Sequence, residues 1–130
     1  MQKSATTMLA VLALAAGMAI AHADEDYGPL KVQKTSMGDV LADPKGMTLY
    51  TFDKDTPGKS ACTGECATYW PPVGASASDK PVGDLTVIKR DDGTMQWADH
   101  GKPLYTYVKD KAPGDVMGDK VNGVWHAVTP

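Results

Sequence analysis

Two cysteines stand four positions apart in the stretch Cys62-Thr63-Gly64-Glu65-Cys66-Ala67-Thr68-Tyr69-Trp70-Pro71-Pro72, and they are the only thiols of the chain. Three kinds of chemistry suit such a pair: a structural disulfide, thiol exchange, or a clamp for a soft metal ion. Exchange motifs are C-x-x-C in a βαβ setting, and here the spacing is C-x-x-x-C with no such setting in view. A metal clamp needs further soft ligands, and Cu(I) would be the ion they select. The residues available for it are Met117, His126 and His100, provided the fold brings them to the cysteines. His100 sits in an Asp99-His100-Gly101 turn and reads as a solvated loop residue. His126 alternates with Val124 and Val128 and reads as half-buried and hydrogen-bonded. The expectation is a Cys62–Cys66 disulfide, with copper handling or thiol redox chemistry as the alternative. A loop this short, closed by a disulfide, stabilises by about 2 kcal/mol in the chain-entropy picture.

A second cluster, Asp110, Asp115, Asp119 and Asn122, invites comparison with calcium loops. Its spacing is not that of an EF-hand, and no closing bidentate glutamate follows. Asp and Gly are ordinary turn formers, which accounts for the segment. There is no Gly-x-Ser-x-Gly, no His-Glu-x-x-His and no phosphate-cradling glycine loop. No catalytic residue and no cofactor is therefore assigned, and a binding role is expected rather than an enzymatic one.

The compartment decides whether a disulfide persists. Lys3 followed by the apolar run Met8 to Ala21, then Ala21-His22-Ala23 and an acidic start at Asp24, reads as a signal peptide of residues 1–23. The apolar run is shorter than the roughly 20 residues a membrane span needs. No cysteine stands at the cleavage point to take a lipid, so no stable membrane anchor is expected. The remaining chain, 24–130, is expected to be one soluble periplasmic or secreted domain. Loss of Lys3 leaves 12 basic against 16 acidic side chains, a net charge of −4, which speaks against nucleic acid as a partner.

The chain repeats itself. Gly46-Met47-Thr48-Leu49-Tyr50-Thr51-Phe52-Asp53-Lys54-Asp55 matches Gly101-Lys102-Pro103-Leu104-Tyr105-Thr106-Tyr107-Val108-Lys109-Asp110 at an offset of 55. Without a gap, that offset carries Trp70 onto Trp125, Val73 onto Val128 and Gly38 onto Gly93. Repeat one spans about 30–73, a connector rich in Ala, Ser, Gly and Pro covers 74–84, and repeat two spans about 85–130.

Within each copy the pattern is β. Tyr50 and Phe52 share one face of a strand with Leu49 and Thr51 on the other, and Tyr105 and Tyr107 repeat the arrangement. Asp43-Pro44-Lys45-Gly46 reads as a type I turn, while Asp92-Gly93 and Asn122-Gly123 read as hairpin turns. Val124, His126 and Val128 are expected on one face of the last strand. Glu65 to Tyr69 has room for one helical turn before Pro71 and Pro72 halt it. Two units too small to bury a core alone should pack about a pseudo-twofold axis, as an all-β antiparallel sandwich or small open barrel.

These boxes, each Tyr-x-(Phe/Tyr)-x-x-Asp, resemble the bacterial secreted-repeat family, predicted lipoproteins with a Y-x-(F/W/Y)-x-x-D motif. The Cys62 to Pro72 stretch and the later Pro113-Gly114-Asp115 and Gly123-Val124-Trp125-His126 elements resemble it as well. The resemblance implies no particular activity, and the lipoprotein cysteine is missing here. Asp55 and Asp110 read as turn caps beyond the strand ends, Tyr50, Phe52, Tyr105 and Tyr107 as core, and Trp70 and Trp125 as equivalent positions of the two repeats. The function expected is a small exported module that binds an unidentified protein or small molecule.

Overall fold

The computed structural model describes residues 26–130, so the expected signal segment lies outside the described residues. The chain forms β1 (Lys31–Thr35), β2 (Gly38–Ala42), β3 (Tyr50–Phe52), a single helical turn α1 (Glu65–Tyr69), β4 (Gly74–Ala75), β5 (Leu85–Lys89), β6 (Met95–Asp99), β7 (Lys102–Pro103) and β8 (Trp125–Ala127). Each repeat opens with a hairpin, β1–β2 or β5–β6, and all strand pairings are antiparallel. The fold is all-β, with small sheets and no closed barrel.

The pseudo-twofold axis passes between Tyr50 and Tyr105, which exchange backbone hydrogen bonds of 2.8 and 3.0 Å. On its outer side Tyr50 pairs with Ala127 and Tyr105 with Pro72, positions related by the repeat offset. Further out, Leu41 donates to Val128 and Trp97 donates to Val73, joining each hairpin to the strand that closes the other repeat. Each repeat thus completes the sheet of its twin, because neither has enough apolar surface or strand edges to stand alone.

The offset is not gapless. Hydrogen bonding equates Leu41 with Trp97, an offset of 56, while Leu49 and Leu104 return to 55. The β5–β6 hairpin is longer by one residue at its tip, where Asp92 Oδ1 accepts from the N–H and hydroxyl of Thr94. The Asp43–Met47 turn restores the difference, with Asp43 Oδ1 accepting from Lys45 and Met47 N–H. Asp43-Pro44-Lys45-Gly46 is indeed a turn, closed by Gly46 N–H to Asp43 carbonyl.

Two other local expectations need correction. Gly74–Ala75, read as connector, is strand β4 and pairs with Gln96 and Met95 of β6. Asn122-Gly123 makes a left-handed turn at the end of a short 3-10 segment, not a hairpin between ladder strands. Val124 therefore stays off the strand and packs with aromatic rings, whereas Val128 packs with aliphatic ones.

Strand alternation sorts the core into two layers. Leu30, Leu41, Leu49, Leu85, Trp97 and Leu104 fill one side of the central strands. Tyr50, Cys62, Trp70, Tyr105 and Trp125 fill the other. Among the described residues no helix is long and apolar enough to cross a membrane.

Candidate functional site

The aromatic layer is built from the repeat boxes. Phe52 stacks on Trp125 at 4.2 Å, Trp125 on Trp70 at 3.7 Å, and Trp70 on Tyr107 at 4.0 Å, all near parallel. The offset of 55 maps this four-ring ladder onto itself. The outer rings, Phe52 and Tyr107, come from the Tyr-x-(Phe/Tyr) boxes, and the inner tryptophans from the two chain segments that close the sheet. Tyr50 meets Trp70 edge-on at 5.5 Å, and Tyr105 meets Trp125 likewise at 5.2 Å, bracing the ladder from below.

The box aspartates explain the motif. Tyr50 donates to Asp110 Oδ2 at 2.6 Å, and Tyr105 donates to Asp55 Oδ2 at 2.7 Å, so each tyrosine is held by the aspartate of the opposite repeat. The second carboxylate oxygens accept from backbone: Asp110 from Met117 N–H and Asp55 from Ala61 N–H. The aspartates do cap turns, as expected, but they also tie the two repeats together. Burial raises the pKa of both carboxyls above the usual aspartate range, opposed by these hydrogen bonds. Burial likewise pushes both phenols well above the ordinary tyrosine value.

One end of this network breaks the symmetry. Arg90, the only arginine in the chain, is buried and donates to the Ser60 hydroxyl (3.0 Å), Gln96 Oε1 (2.8 Å) and Cys62 carbonyl (2.7 Å). Ser60 in turn lies 2.6 Å from the Tyr105 hydroxyl. Three hydrogen bonds compensate the burial of the guanidinium and fix the backbone at Cys62. At the other end, Gly118 N–H donates to the Tyr50 hydroxyl, and a Cβ at Gly118 would lie 2.8 Å from Tyr50 and 2.9 Å from Trp70.

The disulfide joins Cys62 and Cys66 with their Cα atoms 5.2 Å apart, stapling α1 against the ladder. Cys62 is fully buried, and Gly64 takes the positive φ of 61° that the intervening turn requires. The other residues proposed as metal ligands do not gather around it. Met117 is 64 % exposed, and His126 Nε2 is hydrogen-bonded to Asp53 Oδ2 at 2.9 Å. His100 lies between Asp84 and Asp99, at 3.0 and 2.9 Å. No group of three or more His, Cys, Asp or Glu able to hold a metal ion occurs among the described residues. The acidic loop is likewise engaged in capping: Asp115 accepts from Lys111 and Ala112 N–H, and Asp119 from Ala127 N–H.

What the arrangement leaves open is a groove of about 650 Å³ along the ladder. All four stacked rings line it, as do Cys66 and its repeat equivalent Val121. Lys54, its equivalent Lys109 and Glu65 also belong to its lining. Sequence reasoning placed the aromatic residues but passed over both lysines, although they lie inside the matched boxes. It also passed over Ser60, Arg90, Gln96 and Gly118. A single arginine among many lysines was the one signal for Arg90.

The sequence profile of a family described as a secreted repeat of unknown function matches residues 31–74 and again 86–129. No curated protein and no solved structure matches the chain. The two matched segments bracket the Tyr50/Asp110 and Tyr105/Asp55 pairs and both tryptophans of the ladder, and together they cover most of the described residues: the chain belongs to the secreted-repeat family of unknown function and carries two copies of its repeat.

Proposed function

We propose that the protein is a non-enzymatic binding module that works in the periplasm after removal of residues 1–23, and that its ligand site is the groove along the aromatic ladder. The observation that carries this reading is the groove itself: open to solvent, about 650 Å³, lined by rings that packing holds in place, and bordered by a few polar groups. Ligand sites of small molecules have this size and make-up. Elsewhere the polar side chains singled out from the sequence serve the fold, as caps and cross-repeat ties. Copper handling by Cys62 and Cys66 is not adopted, because it needs free thiolates and the two sulfurs are bonded to each other. Thiol exchange would have to release the Cys62 thiolate into a buried aromatic layer, which is unfavourable.

The test is a thermal-shift screen of small molecules against the protein and against Val121→Trp, which fills the groove from its side. Binders that stabilise the parent and not the filled variant support the reading. A screen whose binders act equally on both sinks it. N-terminal sequencing of protein from the periplasmic fraction tests the export part separately, with Asp24 expected as the first residue.

A further inference from the structure

In the ladder each inner tryptophan has both faces covered: Trp125 lies between Phe52 and Trp70, and Trp70 between Trp125 and Tyr107. Since both also line the groove, what they present to it is ring edge. The edge of an aromatic ring carries the positive end of its quadrupole, and in tryptophan it carries the indole N–H as well. Trp70 and Trp125 are 6 % and 3 % exposed, and among the described residues neither indole N–H has a hydrogen-bond partner. An indole N–H with no acceptor in the chain is free to donate, and two such donors at equivalent positions beside one groove suit an acceptor that comes from outside.

Charge at the rim agrees. Lys54 and Lys109 border the groove, and neither forms an ion pair among the described residues. Glu65 is the only acid in the lining, so the groove carries two positive charges against one negative while the whole chain has a net charge of −3. The positive features come in pairs related by the repeat: two indole donors and two ammonium groups.

Resting on the reading of the groove as a ligand site, we infer that its ligand is a small organic dianion, an apolar body with an oxyanion towards each end, of the dicarboxylate class. The apolar body lies along the ring edges, the oxyanions face Lys54 and Lys109, and the indole N–H groups supply the neutral hydrogen bonds.

The experiment is a titration of the whole protein with benzene-1,4-dicarboxylate and with hexanedioate, followed by the indole N–H signals of its three tryptophans in ¹⁵N-labelled protein. Trp97 belongs to the aliphatic layer and serves as the internal control. Saturable movement of the Trp70 and Trp125 signals is expected, with Trp97 still. Lys54→Gln and Lys109→Gln should each weaken binding by about two- to five-fold, the range for a single exposed charge contact. An unmoved Trp97 signal shows that these variants remain folded. Equal affinity for benzene-1,4-dicarboxamide, or unchanged affinity in the double lysine variant, overturns the dianion and leaves the groove reading standing. Absence of any saturable shift at Trp70 and Trp125 with either dicarboxylate at millimolar concentration also overturns it. The groove reading falls separately, if the screen against Val121→Trp finds no binder that the filled groove excludes.

Discussion

Replacing Tyr50 by phenylalanine tests the tie between the repeats with the least disturbance, because the ring and its edge contact to Trp70 are kept and one oxygen is lost. That oxygen donates to Asp110 at 2.6 Å and accepts from Gly118 N–H at 3.1 Å, with the tyrosine fully buried and Asp110 6 % exposed. A hydrogen bond to a charged group contributes about 1.5–3 kcal/mol, and orphaning the Gly118 donor adds to the loss. Tyr50→Phe should therefore destabilise by about 2–3 kcal/mol, which for a domain of this size lowers the melting temperature by roughly 10–20 °C. Asp110→Asn leaves one oxygen for the phenol but sets its amide N–H against Met117 N–H, and should cost about 1–3 kcal/mol. The two changes together should fall short of their sum by about 1 kcal/mol or more, as expected for residues in direct contact. Urea unfolding of the four proteins at neutral pH, with unchanged m-values, measures this coupling. A coupling below about 0.5 kcal/mol would show that the Tyr50–Asp110 bond does not hold the repeats together. The Tyr105–Asp55 pair should show a smaller coupling, since Asp55 is more open to solvent than Asp110.

Gly118→Ala should destabilise by about 1–3 kcal/mol, since the added methyl meets Tyr50 and Trp70 at under 3 Å; a neutral result in thermal melting would mean the ladder can shift aside. Burial raises the folded pKa of Asp55 and Asp110, so their contribution to stability is fully present below the unfolded value near 3.9 and is lost as pH rises through the folded values. The protein should accordingly gain stability on mild acidification from neutrality, and Asp55→Asn with Asp110→Asn should abolish that gain. Asp92, whose pKa is lowered by its bonds to Thr94, acts in the opposite sense and only at lower pH, so the two windows separate in a pH series of urea melts. Reduction of the disulfide should lower stability by about 2 kcal/mol and loosen the segment around α1, seen as faster amide exchange from Cys62 to Tyr69; unchanged exchange there would refute a stapling role.

Much of this molecule was written along the chain. The Tyr50-to-Asp55 and Tyr105-to-Asp110 boxes disclosed two repeats, period-two alternation assigned Leu49 and Tyr50 to opposite layers, and Pro71-Pro72 ended α1. Such features are local, because they depend on side-chain alternation and backbone restriction within a few residues. The matching residues suggest a gapless offset of 55, whereas the exchange of one residue between two turns lies in the hydrogen bonds that equate Leu41 with Trp97. Which aspartate each tyrosine reaches lay beyond the sequence, since Tyr50 is as far from Asp110 in the chain as it is near in space. The same holds for Arg90, whose partners Ser60, Cys62 and Gln96 come from both repeats, and for the meeting of Lys54 and Lys109 at one groove. A repeated sequence states that two halves are alike, but the axis relating them is set by how their apolar faces close on each other, and that axis decides what each half lends to the other.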